Sequence, residues 1–235
     1  MLIDLIQSGF SRESIVSLLL FIPVILISLT VHEYCHGYAA YKCGDNTAEW
    51  NGRLTLNPLK HLDPIGTIMM LIFGFGYARP VPINTRNFKK YRLGLCIVSL
   101  AGPLSNVFLC LIGLLLQYTV LQIVFLSGDM TAIAEIVSSN FFMMWSIFIS
   151  SFITANASLA VFNLIPIPPL DGSRIISALL PAKASYYYNK YENYIMLVVL
   201  ILLWRGSLDS IILFLGNKLL MGLNLLVTLI PFTFL

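Results

Sequence analysis

The sequence predicts an all-α polytopic membrane protein, a bundle of about five to six transmembrane helices with a re-entrant segment and a small β-hairpin. Three observations predict it. Of the 235 residues, 58% are hydrophobic and only 11% charged, against about 25% charged in an ordinary soluble domain. The apolar residues form long runs, 15–31, 97–116 and 141–165, each nearly free of charge and long enough, or almost, to cross a bilayer. The basic residues fall in the loops between those runs. That is membrane topology rather than a nucleic-acid footprint, so the net charge of +3 implies no nucleic-acid partner.

In chain order, the first helix should begin near Ser14, with Ser11 or Ser14 as its cap, and run to about Lys42. Those residues give roughly 42 Å of helix, enough to span with both ends wet. Gly44 and Asp45 then stop it. Residues 44–61 are polar and turn-rich, with Asn46, Asn51, Gly52, Asn57 and Pro58. The apolar stretch 65–75 is too short for a comfortable span and has the length of a re-entrant segment. In 76–92, Gly76, Pro80 and Pro82 with alternating Val81 and Ile83 favour a strand or hairpin. A second long helix is expected over 93–126 and a third over 140–165, with 127–138 as the loop between them. The proline-rich run 166–171 follows the third helix. Two more spans, 191–204 and 207–230, are broken at Arg205-Gly206.

No internal repeat or low-complexity tract divides the chain. It reads as one unit over 1–235, with a core over 14–181 and C-terminal helices over 190–235. No small-residue cleavage site follows the first apolar run, so a removable signal is not expected. Cys35, Cys43, Cys96 and Cys110 show no CxxC spacing and read as small hydrophobes rather than disulfides.

The chemistry concentrates in His32-Glu33-Tyr34-Cys35-His36, an HExxH motif inside the first helix. Histidines at i and i+4 lie one turn apart on one face, which suits two imidazoles on one Zn²⁺. Glu33 lies beside them, placed to take a proton from a metal-activated water as general base without being a ligand. Ionisable groups in a spanning helix cost roughly 2.5–3.5 kcal/mol each, so they mark a functional site by default. A third ligand is needed. The extended HExxHxxGxxH pattern fails, because Ala39 and Lys42 stand where its Gly and His would be. The residues leave two candidates open, Asp171 in the proline-broken run before Gly172, and His61 in the polar loop. Asp171 also reads as an ordinary helix cap, and His61 as a brace of its loop. A metallopeptidase of another type would use a downstream Glu, for which only Glu49 and Glu135 are placed.

Three motifs in order, His32-Glu-Tyr-Cys-His36-Gly, Ala101-Gly-Pro-Leu-Ser-Asn106 and Asn163-Leu-Ile-Pro-Ile-Pro-Pro-Leu-Asp171-Gly172, resemble the site-2 protease family of intramembrane zinc proteases. The stretch Leu54–Gly66 resembles its compact members, the branch without PDZ or CBS domains. Ser173 departs from the family, where many relatives carry a second Gly. The resemblance implies one Zn²⁺ per chain held by His32, His36 and Asp171, with Glu33 catalytic. It also implies an endopeptidase acting on membrane protein or peptide substrates in or near their transmembrane segments.

Asn106 and Asn163 fit such a role. A substrate drawn out of its helix exposes amide groups that are costly in lipid, and an Asn side chain can satisfy them or the developing oxyanion. Interhelical hydrogen bonding is the competing use of both asparagines. Loop 76–92 carries Arg79, Arg86, Lys89, Lys90 and Arg92, whereas 127–138 carries only Asp129 and Glu135. The positive-inside tendency puts the first in the cytoplasm, and with it the site, in the cytoplasmic half of a cell membrane. The competing function is a zinc transporter or sensor. That should show several metal-binding groups strung along a pathway, whereas this chain shows one cluster.

Overall fold

The computed structural model describes residues 11–66, 69, 78–126 and 128–229. Helix α1, Arg12–Cys43, begins where the Ser11 side chain accepts the Ser14 amide, and ends at Gly44. Gly44 adopts φ 109°, a left-handed conformation that glycine reaches without strain, and its amide returns to the Ala40 and Tyr41 carbonyls. A short helix α2, Thr47–Trp50, and a 3₁₀ turn at Pro58–Lys60 follow. Helix α3 is Tyr91–Leu126. Helix α5, Asn140–Leu164, is capped by Ser139 accepting the Phe142 amide. The shorter α6, Asp171–Leu179, α7, Ala182–Lys190, and α8, Glu192–Trp204, lead to α9, Asp209–Thr228.

Four helices among the described residues, α1, α3, α5 and α9, are long and apolar enough to cross a membrane. Between 17% and 33% of each apolar window is buried within the protein. The remaining apolar surface, including Leu19, Phe108, Phe125 and Phe214, requires a non-aqueous surround. The chain is therefore an integral membrane protein.

Helices α1, α3 and α5 pack against one another, and α6 packs on α3 and α5. On the far half of the bundle, Cys110, Leu114, Ile149, Ile153, Leu223 and Val227 close a dry core between α3, α5 and α9. Gly113 brings α3 close to α5, since a Cβ there would lie 2.8 Å from Ile153 Cγ1. A second cluster, Ala40, Phe88 and Val98 with Ile83, seats the loop before α3 on α1.

Three expectations change. No strand occurs among the described residues, so the β-hairpin in 76–92 is absent. Residues 78–84 form no regular element, and their donors go elsewhere. Arg79 N donates to the His61 carbonyl, Val81 N to Glu33, and Asn84 N to Asp45, while Pro80 and Pro82 have no N–H. Among the described residues four helices rather than five to six are long enough to span, because α8 has 13 residues, or about 20 Å of helix. Residues 130–138, expected as loop, form helix α4, Met130–Ser138, started by Asp129 accepting the Thr131 amide. Most of the expected re-entrant stretch 65–75 lies outside the described residues.

Candidate active site

His32 and His36 project from one face of α1 with their rings edge to face, and are 5% and 7% exposed. Each has one nitrogen committed. His32 Nδ1 lies 2.7 Å from Asn106 Oδ1, and His36 Nδ1 lies 2.7 Å from the Val98 carbonyl. A carbonyl only accepts, so His36 carries its proton on Nδ1 and turns the Nε2 lone pair inward. The two Nε2 atoms face each other at 3.0 Å.

Asp171 completes the group. It is the first residue of α6, yet no side chain caps that helix, so the plain capping role does not account for its carboxylate. Its Oδ2 lies 3.3 Å from His32 Nε2 and 3.2 Å from His36 Nε2. The neighbouring Gly172 fixes the approach, because a Cβ there would stand 2.3 Å from the Leu164 carbonyl oxygen and 2.5 Å from that of Ile165. Helix α6 is thus seated directly on the C-terminal end of α5. His32, His36 and Asp171 are the group among the described residues with metal-ligand geometry.

The donor set fits zinc. Ligands at about 2.0–2.1 Å in a tetrahedron stand about 3.3 Å from one another. The separations of 3.0, 3.2 and 3.3 Å match one face of such a tetrahedron. Two inward lone pairs and a carboxylate oxygen would otherwise repel, so the cluster is complementary to a cation.

Glu33 extends toward the loop, where its Oε2 accepts the Val81 amide at 2.9 Å. Two buried charges hold that loop. Arg53 Nη2 donates to the Arg79 and Pro80 carbonyls at 2.6 and 3.2 Å. Asp45 accepts from the Thr47 amide and hydroxyl, from Asn84 N at 2.7 Å and from Asn87 Nδ2 at 2.7 Å. Burial would raise the Asp45 carboxyl, but these donors from Thr47, Asn84 and Asn87 hold it below its usual value.

The other named residues separate. Asn106 reaches the site, with its oxygen on His32 and its amide on Asn156 Oδ1 at 2.9 Å. Asn163 donates to the Leu159 carbonyl one turn back and makes no hydrogen bond to His32, His36 or Asp171. His61 lies apart from the cluster, 1% exposed, with Nε2 on the Thr55 carbonyl at 2.8 Å. Glu49 and Glu135 are exposed on α2 and α4. The residue that sequence reasoning passed over is Gly102. A Cβ on it would lie 2.3 Å from His36 Nε2 and 2.7 Å from His32 Nε2, so only glycine leaves both rings room. The signal was its place in Ala101-Gly-Pro on a helix crossing the histidine helix.

Comparison with known proteins identifies the family. Residues 20–205 match the model of peptidase family M50. YwhC of Bacillus subtilis (strain 168), provisionally named a zinc metalloprotease, is 46% identical over 179 residues, covering 76% of this chain and 77% of its own. Rip2 of Mycolicibacterium smegmatis (strain ATCC 700084 / mc(2)155), named in the same terms, is 30% identical over 78% of this chain and 66% of its own. No solved structure gives a significant match. The chain belongs to peptidase family M50, the site-2 protease family, and is a membrane-embedded zinc metalloprotease.

Proposed function

We propose that this metalloprotease is an intramembrane endopeptidase in which His32, His36 and Asp171 hold one zinc ion and Glu33 is the general base. The observation that carries the reading is the trio of donor atoms 3.0–3.3 Å apart, adjoined by a carboxylate that is not one of them. When bound, zinc supplies Lewis acidity and lowers the pKa of water to about 7. The protein supplies the rest. The Val81 amide holds Glu33 Oε2 and leaves Oε1 to receive a proton from the attacking water. Glu33 then returns that proton to the leaving amine nitrogen. Asn163, partly buried near the end of α5, is the residue we assign to the amides of an unwound substrate. Asn106 acts through His32, to which its oxygen is committed.

The substrates are membrane proteins or peptides cut in or near a transmembrane segment. His36 precedes Lys42 by about 9 Å of helix, and Lys42 marks the membrane surface. Lys89 N bonds the Cys43 carbonyl at 3.1 Å, so the basic loop lies at the same end of α1. By the positive-inside tendency that end is cytoplasmic. Glu33→Gln tests the reading. The variant should keep about one zinc per chain and lose cleavage of a transmembrane peptide by several orders of magnitude. Substantial cleavage, or loss of zinc, would refute the role.

A further inference from the structure

Behind His32 lies a chain of hydrogen bonds that crosses three helices with every donor spent. Ser28, Asn106 and Asn156 are each 0% exposed. The Ser28 hydroxyl donates to the Val24 carbonyl at 2.7 Å, so its oxygen accepts Asn156 Nδ2 at 2.9 Å. The second Asn156 hydrogen goes to the Phe152 carbonyl at 2.8 Å. Asn106 Nδ2 gives one hydrogen to Asn156 Oδ1 at 2.9 Å and faces the Ser28 carbonyl at 3.4 Å with the other.

The direction of this chain is not free. Backbone carbonyls only accept, so turning over the Asn156 amide would set its oxygen against the Phe152 oxygen. Turning over Asn106 would set its oxygen against Asn156 Oδ1 and the Ser28 carbonyl. Both amides are therefore locked, and Asn106 presents an oxygen to His32. That oxygen can only accept, so His32 must carry its proton on Nδ1 and keep the Nε2 lone pair inward.

We infer that Asn156 and Ser28, whose side chains make no hydrogen bond to His32, His36 or Asp171, are positioning residues that select the metal-binding tautomer of His32 through Asn106. The inference rests on the proposed role of His32 as a zinc ligand. His36 is set independently by the Val98 carbonyl and provides an internal reference.

The test uses the full chain in detergent with ¹⁵N-labelled histidine. In the zinc-free wild type both His32 and His36 should show the Nδ1–H form. In Asn156→Leu, Asn106 loses its 2.9 Å partner and is held in orientation only by the 3.4 Å contact with the Ser28 carbonyl, which is too weak to keep it from turning over. The His32 signals should move toward a mixture of tautomers while those of His36 stay, and zinc affinity should fall about 10–100-fold. Asn156→Ala carries the same expectation if the leucine variant fails to fold, as loss of the His36 signals would show. A folded variant with His32 wholly in the Nδ1–H form and zinc affinity within about twofold of wild type overturns the inference. His32→Ala separates the two claims. If it binds zinc as tightly as wild type, the ligand assignment fails whatever the tautomer spectra show.

Discussion

Gly102→Ala isolates the space that the site requires. The added methyl carbon would stand 2.3 Å from His36 Nε2, 2.6 Å from His32 Cε1 and 2.7 Å from His32 Nε2. Ordinary contact is about 3.5 Å, so both rings must retreat by roughly 1 Å. Neither can do so intact. Each is tied through Nδ1 by a 2.7 Å hydrogen bond, and a retreat of about 1 Å takes such a bond beyond 3.5 Å, where it no longer holds. Overpacking costs about 1–3 kcal/mol, while alanine gains about 1 kcal/mol over glycine in a helix interior. With two buried hydrogen bonds lost as well, the metal-free protein should therefore lose at least about 2 kcal/mol. Zinc affinity should fall at least about 100-fold, because the supports of two ligands fail together. Chelator competition followed by metal analysis reads the affinity, and thermal unfolding of the zinc-free protein in detergent reads the stability. A folded Gly102→Ala protein with wild-type zinc affinity would refute the geometry of the centre.

Asp171→Ala should lower zinc content and abolish cleavage, whereas His61→Ala should keep its zinc and lose only the side-chain bond to the Thr55 carbonyl. Metal analysis giving the reverse would exchange their roles. Asp45, held below its usual value, contributes stability that is present above about pH 4 and is lost as the pH falls through its lower folded value. The melting temperature of the wild type should drop more steeply on acidification than that of Asp45→Asn; parallel curves would show that the carboxylate is not what anchors the loop. Mass-spectrometric mapping of product termini should place scissile bonds nearer the cytoplasmic end of substrate segments, and clustering at the opposite end would invert the orientation.

The parts of the molecule legible in the sequence are those that local chemistry determines. Ser11 caps and Gly44 ends α1 because a hydroxyl oxygen and an unhindered φ are needed there, whatever packs nearby. The spacing of His32 and His36 places them on one helical face before any partner is known. Asp171 stood out because its prolines forbid regular helix, although the choice between it and His61 was tertiary. The hairpin misled because Val81 and Ile83 alternate in any extended chain. What separates a strand from a strap is where the amides go, and those go to Glu33 and Asp45, far away in sequence. Gly102 and Asn156 were invisible for a related reason. A small residue or a lone amide in an apolar helix becomes informative only when the facing helix is known.

The separation of the proposed ligands along the chain also bears on how the centre is made. His36 and Asp171 are 135 residues apart, and synthesis at about 5–20 residues per second leaves an interval of roughly 7–27 s between them. During that time the two imidazoles are already in the first helix, without the carboxylate or, at first, the α3 oxygens that orient them. A nascent chain offers the ion two poorly aimed nitrogens, and tight capture waits until α6 docks on the end of α5. On the proposed ligand set, metallation would be a late step of biogenesis, reporting that three helices have found their places, and a precursor truncated before residue 171 would leave the ribosome lacking the third ligand.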